Sequence, residues 1–223
     1  MAQAVMPGPG PPVLAAHEDL PAPPRQARSL ATRKKLLQSA RNLFAEQGYH
    51  ATSIQAIAAR AGTATGAFYT YFRSKRQLLI VLMSELLERL YDLDLRPKGG
   101  ADVRSGLRSF LAAAFRADLE YYGVVRAWQE AALTDAGLGQ MQTAIERWTH
   151  ARILGVFRLL QQYPNARRDR DLPAFARMMD RHFWSLLARG ARSTPREFDR
   201  EVQIAADVIC HYLFQDPTGP RPS

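Results

Sequence analysis

The sequence predicts an all-α protein in which a small N-terminal three-helix domain is joined to a larger helical domain. Three observations carry this expectation. Apolar residues recur at helical spacing from about residue 31 to residue 214, with no strand-like alternation. Glycine and proline pairs punctuate these stretches at Gly99-Gly100, Gly137-Leu138-Gly139, Pro164-Asn165 and Thr194-Pro195. Positive charge is concentrated at one end. Residues 1–76 hold ten basic residues against three acids, whereas the remainder holds twenty against eighteen, within a net charge of +9. A basic N-terminal third beside a balanced remainder is the footprint of a nucleic-acid-binding domain.

Taken in order, residues 1–28 carry seven of the fourteen prolines and few large apolar side chains. They are expected to form a disordered tail, because proline removes donors and little can be buried. The basic stretch Arg25–Lys35 at its end is a candidate DNA-contacting arm, the alternative being a solvated linker with a charged helix start. Residues 31–47 form an amphipathic helix with Leu36, Ala40, Leu43 and Phe44 on one face, closed by Gly48.

Two short helices follow in Thr52–Lys75. Thr52 and Gln55 have the spacing of a capping box. Ile54, Ile57, Ala58 and Ala61 give an apolar stripe, and Ala61-Gly62 ends the first helix. The second helix starts near Ala64. Phe68 and Phe72 are core candidates. The remaining Thr63, Thr65, Tyr69, Thr70, Tyr71 and Lys75 supply hydroxyl, phenol and ammonium donors of the kind that meet phosphate oxygens.

These residues resemble the helix-turn-helix of the TetR family of bacterial transcriptional regulators. The match runs through Leu43-Phe44-Ala45-Glu46-Gln47-Gly48-Tyr49, Ala51-Thr52-Ser53, Ile57-Ala58, Ala61-Gly62, Gly66, Phe68-Tyr69-Thr70-Tyr71-Phe72 and Ser74-Lys75, covering roughly residues 30–80. It departs from the commonest pattern at Ala64 and at Thr70-Tyr71. The resemblance implies a DNA-binding domain over 29–75 and an effector-binding and dimerisation domain over 76–216, leaving 217–223 as a second tail. It implies base contacts from Thr65 and Gly66. It implies phosphate contacts from Thr52, Ser53, Thr63, Tyr69, Thr70, Tyr71 and Lys75. The implied function is a sequence-specific transcriptional regulator, a repressor released by a small-molecule effector. The partners are then double-stranded DNA with a near-palindromic operator, a second copy of the chain, and an unknown effector.

The helix over 75–91 is strongly apolar and links the two domains. Further helices are expected at about 102–120, 122–134, 138–163, 172–190 and 196–214. The middle ones carry Phe110, Phe115, Trp128, Trp148 and Arg152, an aromatic set with a cationic anchor that suits a small-molecule cavity, although aromatics at helical spacing are more often ordinary core. The last two are apolar over most of their circumference, which demands burial on two sides. Phe175, Met179, His182, Leu186, Val202, Ala205 and Ile209 are the candidate dimer-interface residues, and Ile204, Val208 and Cys210 widen the stripe.

The single cysteine, Cys210, excludes an intramolecular disulfide and is read as a small buried apolar residue. Five histidines show no metal-ligand spacing, so neither metal nor cofactor is expected. No segment reaches a membrane-spanning length and no secretory leader is apparent, which points to a cytoplasmic, nucleoid-associated protein. An enzyme or helical carrier, and a non-specific architectural DNA binder, are the competing classes. The first lacks any nucleophile, metal or phosphate-loop signature. The second would bind operator and random DNA alike.

Overall fold

A computed structural model describes residues 9–16, 18–22, 24–93 and 102–215. The expected tail at 217–223 lies outside the described residues, as do residues 1–8 of the N-terminal one. Nine helices occur among the described residues: α1 Ala27–Ala51, α2 Ile54–Arg60, α3 Thr65–Phe68, α4 Lys75–Tyr91, α5 Val103–Glu120, α6 Tyr122–Ala132, α7 Ala136–Leu160, α8 Leu172–Gly190 and α9 Pro195–Leu213. The only extended pairing described is an isolated antiparallel bridge between Ala166 and Phe214.

The chain divides into two compact units. One comprises Pro11–Glu88 with Glu120–Ala144. The other comprises Arg89–Leu119 with Ile145–Ser223 and also Met1–Gly10. The division therefore falls beyond the sequence boundary at residue 75. It does so because α6 packs along α1 and joins the helix-turn-helix unit.

In the first unit, α1 turns Leu36, Leu37, Ala40, Leu43 and Phe44 inward. Its course bends at Gly48, which has φ 80°, a left-handed value that a side chain disfavours. The facing helix α6 buries Val124, Val125, Ala127 and Trp128. The two helices meet so closely that a Cβ on Gly123 would stand 2.5 Å from Ala45 Cα, well inside van der Waals contact. Arg41 seals one edge of this pair, bonding Glu120 at 2.6 Å and lying over the Tyr121 ring. Phe68 and Phe72 are fully buried with centroids 5.6 Å apart.

Thr52 does not open a capping box. Its hydroxyl donates to Gly48 O at 2.7 Å, closing α1 instead. Ser53 is the N-cap of α2, its Oγ accepting from Ala56 N at 3.1 Å. The tail expectation also needs adjustment among the described residues. Leu14 is buried, and Glu18 and Asp19 pair with Arg76 and Arg73. One apolar anchor and two carboxylates offset the cost of ordering a proline-rich segment.

The second unit is built on aromatic packing. Phe115 meets Phe183 and Phe198 edge-on at 5.4 and 5.7 Å. Phe175 stacks on Tyr212 at 3.9 Å and packs against Phe157 at 5.1 Å. Asp171 caps α8 through Ala174 N. A full capping box of Thr194 and Glu197, followed by Pro195, starts α9. Cys210 is fully buried and its thiol is pushed up to about 11 by that burial, so it is an apolar residue rather than a redox group.

Candidate nucleic-acid interface

The interface is organised at the α1–α2 junction. The bend at Gly48 frees backbone groups that a straight helix would pair internally. Glu130, reaching over from α6, accepts from Tyr49 N at 2.8 Å and His50 N at 2.9 Å. These two bonds hold its carboxyl below the ordinary carboxylate value. Lys75, at the start of α4, answers with the opposite polarity. Its ammonium donates to Tyr49 O at 2.6 Å and Thr52 O at 2.7 Å and lies 4.2 Å over the Tyr49 ring. Burial lowers the Lys75 pKa. One acid and one base from two different helices thus saturate the backbone on which α2 and α3 are mounted.

This geometry corrects two phosphate candidates. Lys75 spends two of its three N–H donors on main-chain carbonyls. Thr52 is 1% exposed with its hydroxyl on Gly48 O. The Thr52 hydroxyl is turned inward, and the Lys75 ammonium is tethered to the backbone at the α1–α2 junction. The other candidates stand differently. Ser53, Gly66, Tyr69 and Thr70 are exposed, and Thr63, Thr65 and Tyr71 are partly exposed. The Tyr71 hydroxyl is within 3.0 Å of Ser29 Oγ on α1. Tyr69 is 52% exposed although it follows the fully buried Phe68. A Cβ on Gly66 would meet no atom within 4 Å. Nothing among the described residues therefore demands a glycine there, whereas close approach by an outside surface would.

The effector-pocket candidates are resolved into separate environments. Phe115 belongs to the aromatic core described above, and Phe110 packs against that core. Arg152 donates to Leu90 O and lies over the Tyr91 and Trp148 rings. Trp148 in turn donates to Pro9 O at 3.0 Å. The Arg152 anchor is thus committed within the chain, which corrects its assignment as a free ligand cation. Trp128 belongs to the other unit, where it is 1% exposed and its indole nitrogen has no hydrogen-bond partner among the described residues.

The dimer candidates also need correction. Phe175, Met179, Leu186, Val202, Ala205 and Ile209 are all at or below 5% exposure, so this stripe faces the unit's own core; His182 is partly exposed. The outward apolar residues of the same two helices are Met178, Ile204 and Val208, at 52%, 51% and 44%. With Arg170, Asp207 and His211 they line an open groove of about 840 Å³.

Residues 36–82 match the model of the bacterial regulatory proteins, tetR family. These residues carry that family's DNA-binding domain. The chain is accordingly a DNA-binding transcriptional regulator, with α2 and α3 as its helix-turn-helix. Over 204 residues it is 26% identical to the HTH-type transcriptional regulator BetI of Rhizobium meliloti (strain 1021), covering 90% of this chain and 98% of BetI. It is 33% identical to the HTH-type transcriptional regulator YuxN of Bacillus subtilis (strain 168) over 90 residues. That match covers 40% of this chain and about a third of YuxN, namely 31%. Among solved structures, the SmeT–triclosan complex superposes with a TM-score of 0.65 at 24% identity, over 86% of this chain and 96% of SmeT. SmeT is the repressor of a Stenotrophomonas maltophilia multidrug efflux pump. At that identity the likeness concerns the fold.

Sequence reasoning missed Glu130, Gln77, Arg73 and Arg76. Arg73 and Arg76 entered only as members of the basic N-terminal third. Glu130 acts on residues eighty positions away, and no local periodicity records such a pairing.

Proposed function

We propose that the protein binds a near-palindromic operator as a homodimer. The N-terminal turn of α3 meets base edges through Thr65 and Gly66, and Ser53, Thr63, Tyr69, Thr70 and Tyr71 hold phosphates. The observation that carries this is the surface of α3. Its inner residue Phe68 is fully buried, while Gly66 and the C-cap residue Tyr69 stand outward, the Tyr69 ring meeting Phe68 only edge-on. A helix that presents a glycine and a phenol to solvent is suited to close backbone approach and hydroxyl donation to DNA.

The dimer pairs the outward face of α8 and α9, centred on Met178, Ile204 and Val208. Three large apolar side chains in one exposed groove favour burial against a self-complementary copy. Two recognition helices about 34 Å apart then enter successive major grooves. A small-molecule effector bound in the C-terminal unit lowers operator affinity by favouring a state with a different spacing. The fate of transcription on binding is repression. Binding of the purified chain to its own upstream promoter fragment and to a scrambled fragment, over a salt series, tests the reading. Preference for the promoter by orders of magnitude supports it; equal weak binding to both returns the architectural alternative.

A further inference from the structure

The three cations of the α3–α4 turn are committed to different degrees. Lys75 is held by two carbonyls. Arg76 lies between Glu18 and Asp135, with its Nε 2.7 Å from Asp135 Oδ2. Arg73 differs. Its side chain is 59% exposed and its partner, Asp19 at 2.7 Å, is 76% exposed. An ion pair this open is readily exchanged for another anion.

The pair is nevertheless built rather than incidental. Gln77, only 6% exposed, accepts from Arg73 N at 2.9 Å and donates to Asp19 O at 3.1 Å. One buried amide therefore fixes the backbone of both members. Leu14, 4% exposed, anchors the same N-terminal strap. Residues 61–72, which include all of α3, contain no lysine or arginine. Arg73 is thus the first cation along the chain after α3. A guanidinium that pairs with a carboxylate has the donor geometry for a phosphate.

We propose that Arg73 is a phosphate-binding residue of the DNA interface and that Asp19, carried on the N-terminal strap, is its intramolecular competitor. The strap lowers affinity for every DNA sequence and must surrender its ion pair when the phosphodiester backbone arrives. This rests on the DNA-binding reading of the same surface.

The test uses the full chain as wild type, Asp19→Asn, Arg73→Ala and the double variant. The probe is a random-sequence duplex, read by fluorescence anisotropy across a salt series, with thermal melts as the folding control. Asp19→Asn is expected to bind about twofold to fivefold tighter, the factor that an exposed ion pair supplies. Arg73→Ala is expected to bind more weakly, with a salt slope lower by about one. In the Arg73→Ala background, Asp19→Asn is expected to have no further effect. An Asp19→Asn gain of equal size in both backgrounds would reduce the effect to net charge and overturn the competition. So would an unchanged affinity for Asp19→Asn alone. Absence of any duplex binding by the wild-type chain would instead sink the DNA-binding reading, and the proposal with it.

Discussion

The two units of this protein hold themselves together by different chemistry. The C-terminal unit relies on apolar stripes. Phe115, Phe157, Phe175 and Phe198 interlock, and the helix starts are capped by their own neighbours, Asp171 for α8 and Thr194 with Glu197 for α9. The N-terminal unit has an apolar core too. At its functional end, however, it depends on polar groups delivered from far along the chain: Glu130 to the α1–α2 junction, Lys75 to the same junction, Asp135 to Arg76. The difference follows from what each unit must present. Two helices of seven and four residues cannot bury enough surface to hold themselves. Their mounting has to be fixed by saturating the backbone at the bend, and α6 supplies that fixing.

The largest effect that would break this arrangement is expected from Gly123→Ala. The added methyl would sit 2.5 Å from Ala45 Cα and 2.7 Å from Ala45 N. Backbone cannot swing aside as a side-chain tip can, so α1 and α6 must separate. Overpacking of this kind costs about 1–3 kcal/mol, and at a backbone contact the upper part of that range is expected. Chemical denaturation of the variant would measure it, and DNA binding should fall with the folded fraction. Unchanged stability would mean that α6 does not brace α1 as closely as described.

A smaller effect tests the polar half of the contrast. Glu130→Gln keeps one acceptor but turns an amide NH2 toward the second backbone N–H. A loss of about 1 kcal/mol is expected, allowing for the partial exposure of the carboxylate. The sign of its pH dependence is fixed. Glu130 has a folded pKa below the ordinary 4.5, because it accepts from His50 N and Tyr49 N. It therefore contributes stability above the unfolded value, and that contribution is lost as pH falls through the folded value. Thermal melts between neutral pH and pH 4 and below should converge for wild type and variant. A gap between the two curves that stays constant down to acid pH would remove Glu130 from the linkage.

Much of the fold was legible because it rests on periodicity. The spans 172–190 and 196–214 read from the sequence compare with α8 at Leu172–Gly190 and α9 at Pro195–Leu213. Periodicity also indicated that these helices are apolar on two sides, but not which side the unit uses for itself. The regular stripe of Phe175, Val202 and Ile209 is the inner one; of the residues that widened it, Ile204 and Val208 are exposed, whereas Cys210 is buried. The α1–α2 junction was less legible. The Thr52–Gln55 spacing reads as a cap and the family resemblance puts Thr52 on phosphate, yet Ser53 takes the cap and Thr52 turns back to Gly48. Lys75 reads as a phosphate contact from its ammonium and from the family resemblance. Its carbonyl partners are freed by a bend at Gly48, which the sequence marks only as a helix end.

Tyr69→Phe is the finest probe of the contrast, since it should leave both units intact. The ring of Tyr69 lies 5.6 Å from Phe68 edge-on and stays in place in the variant; only the hydroxyl of a residue 52% exposed is lost. Surface changes away from packing usually shift stability by no more than about 0.5 kcal/mol. Loss of one neutral donor to a phosphate should cost about 1 kcal/mol of binding, or roughly fivefold in affinity. Operator titrations and thermal melts on the same preparation would separate the two quantities. A fivefold loss in binding with an unmoved melt places Tyr69 on the outward, DNA-facing surface. Parallel losses in both would make Tyr69 a packing residue of the N-terminal unit, and the outward face of α3 would then have to work through Thr65, Gly66 and Thr70 alone.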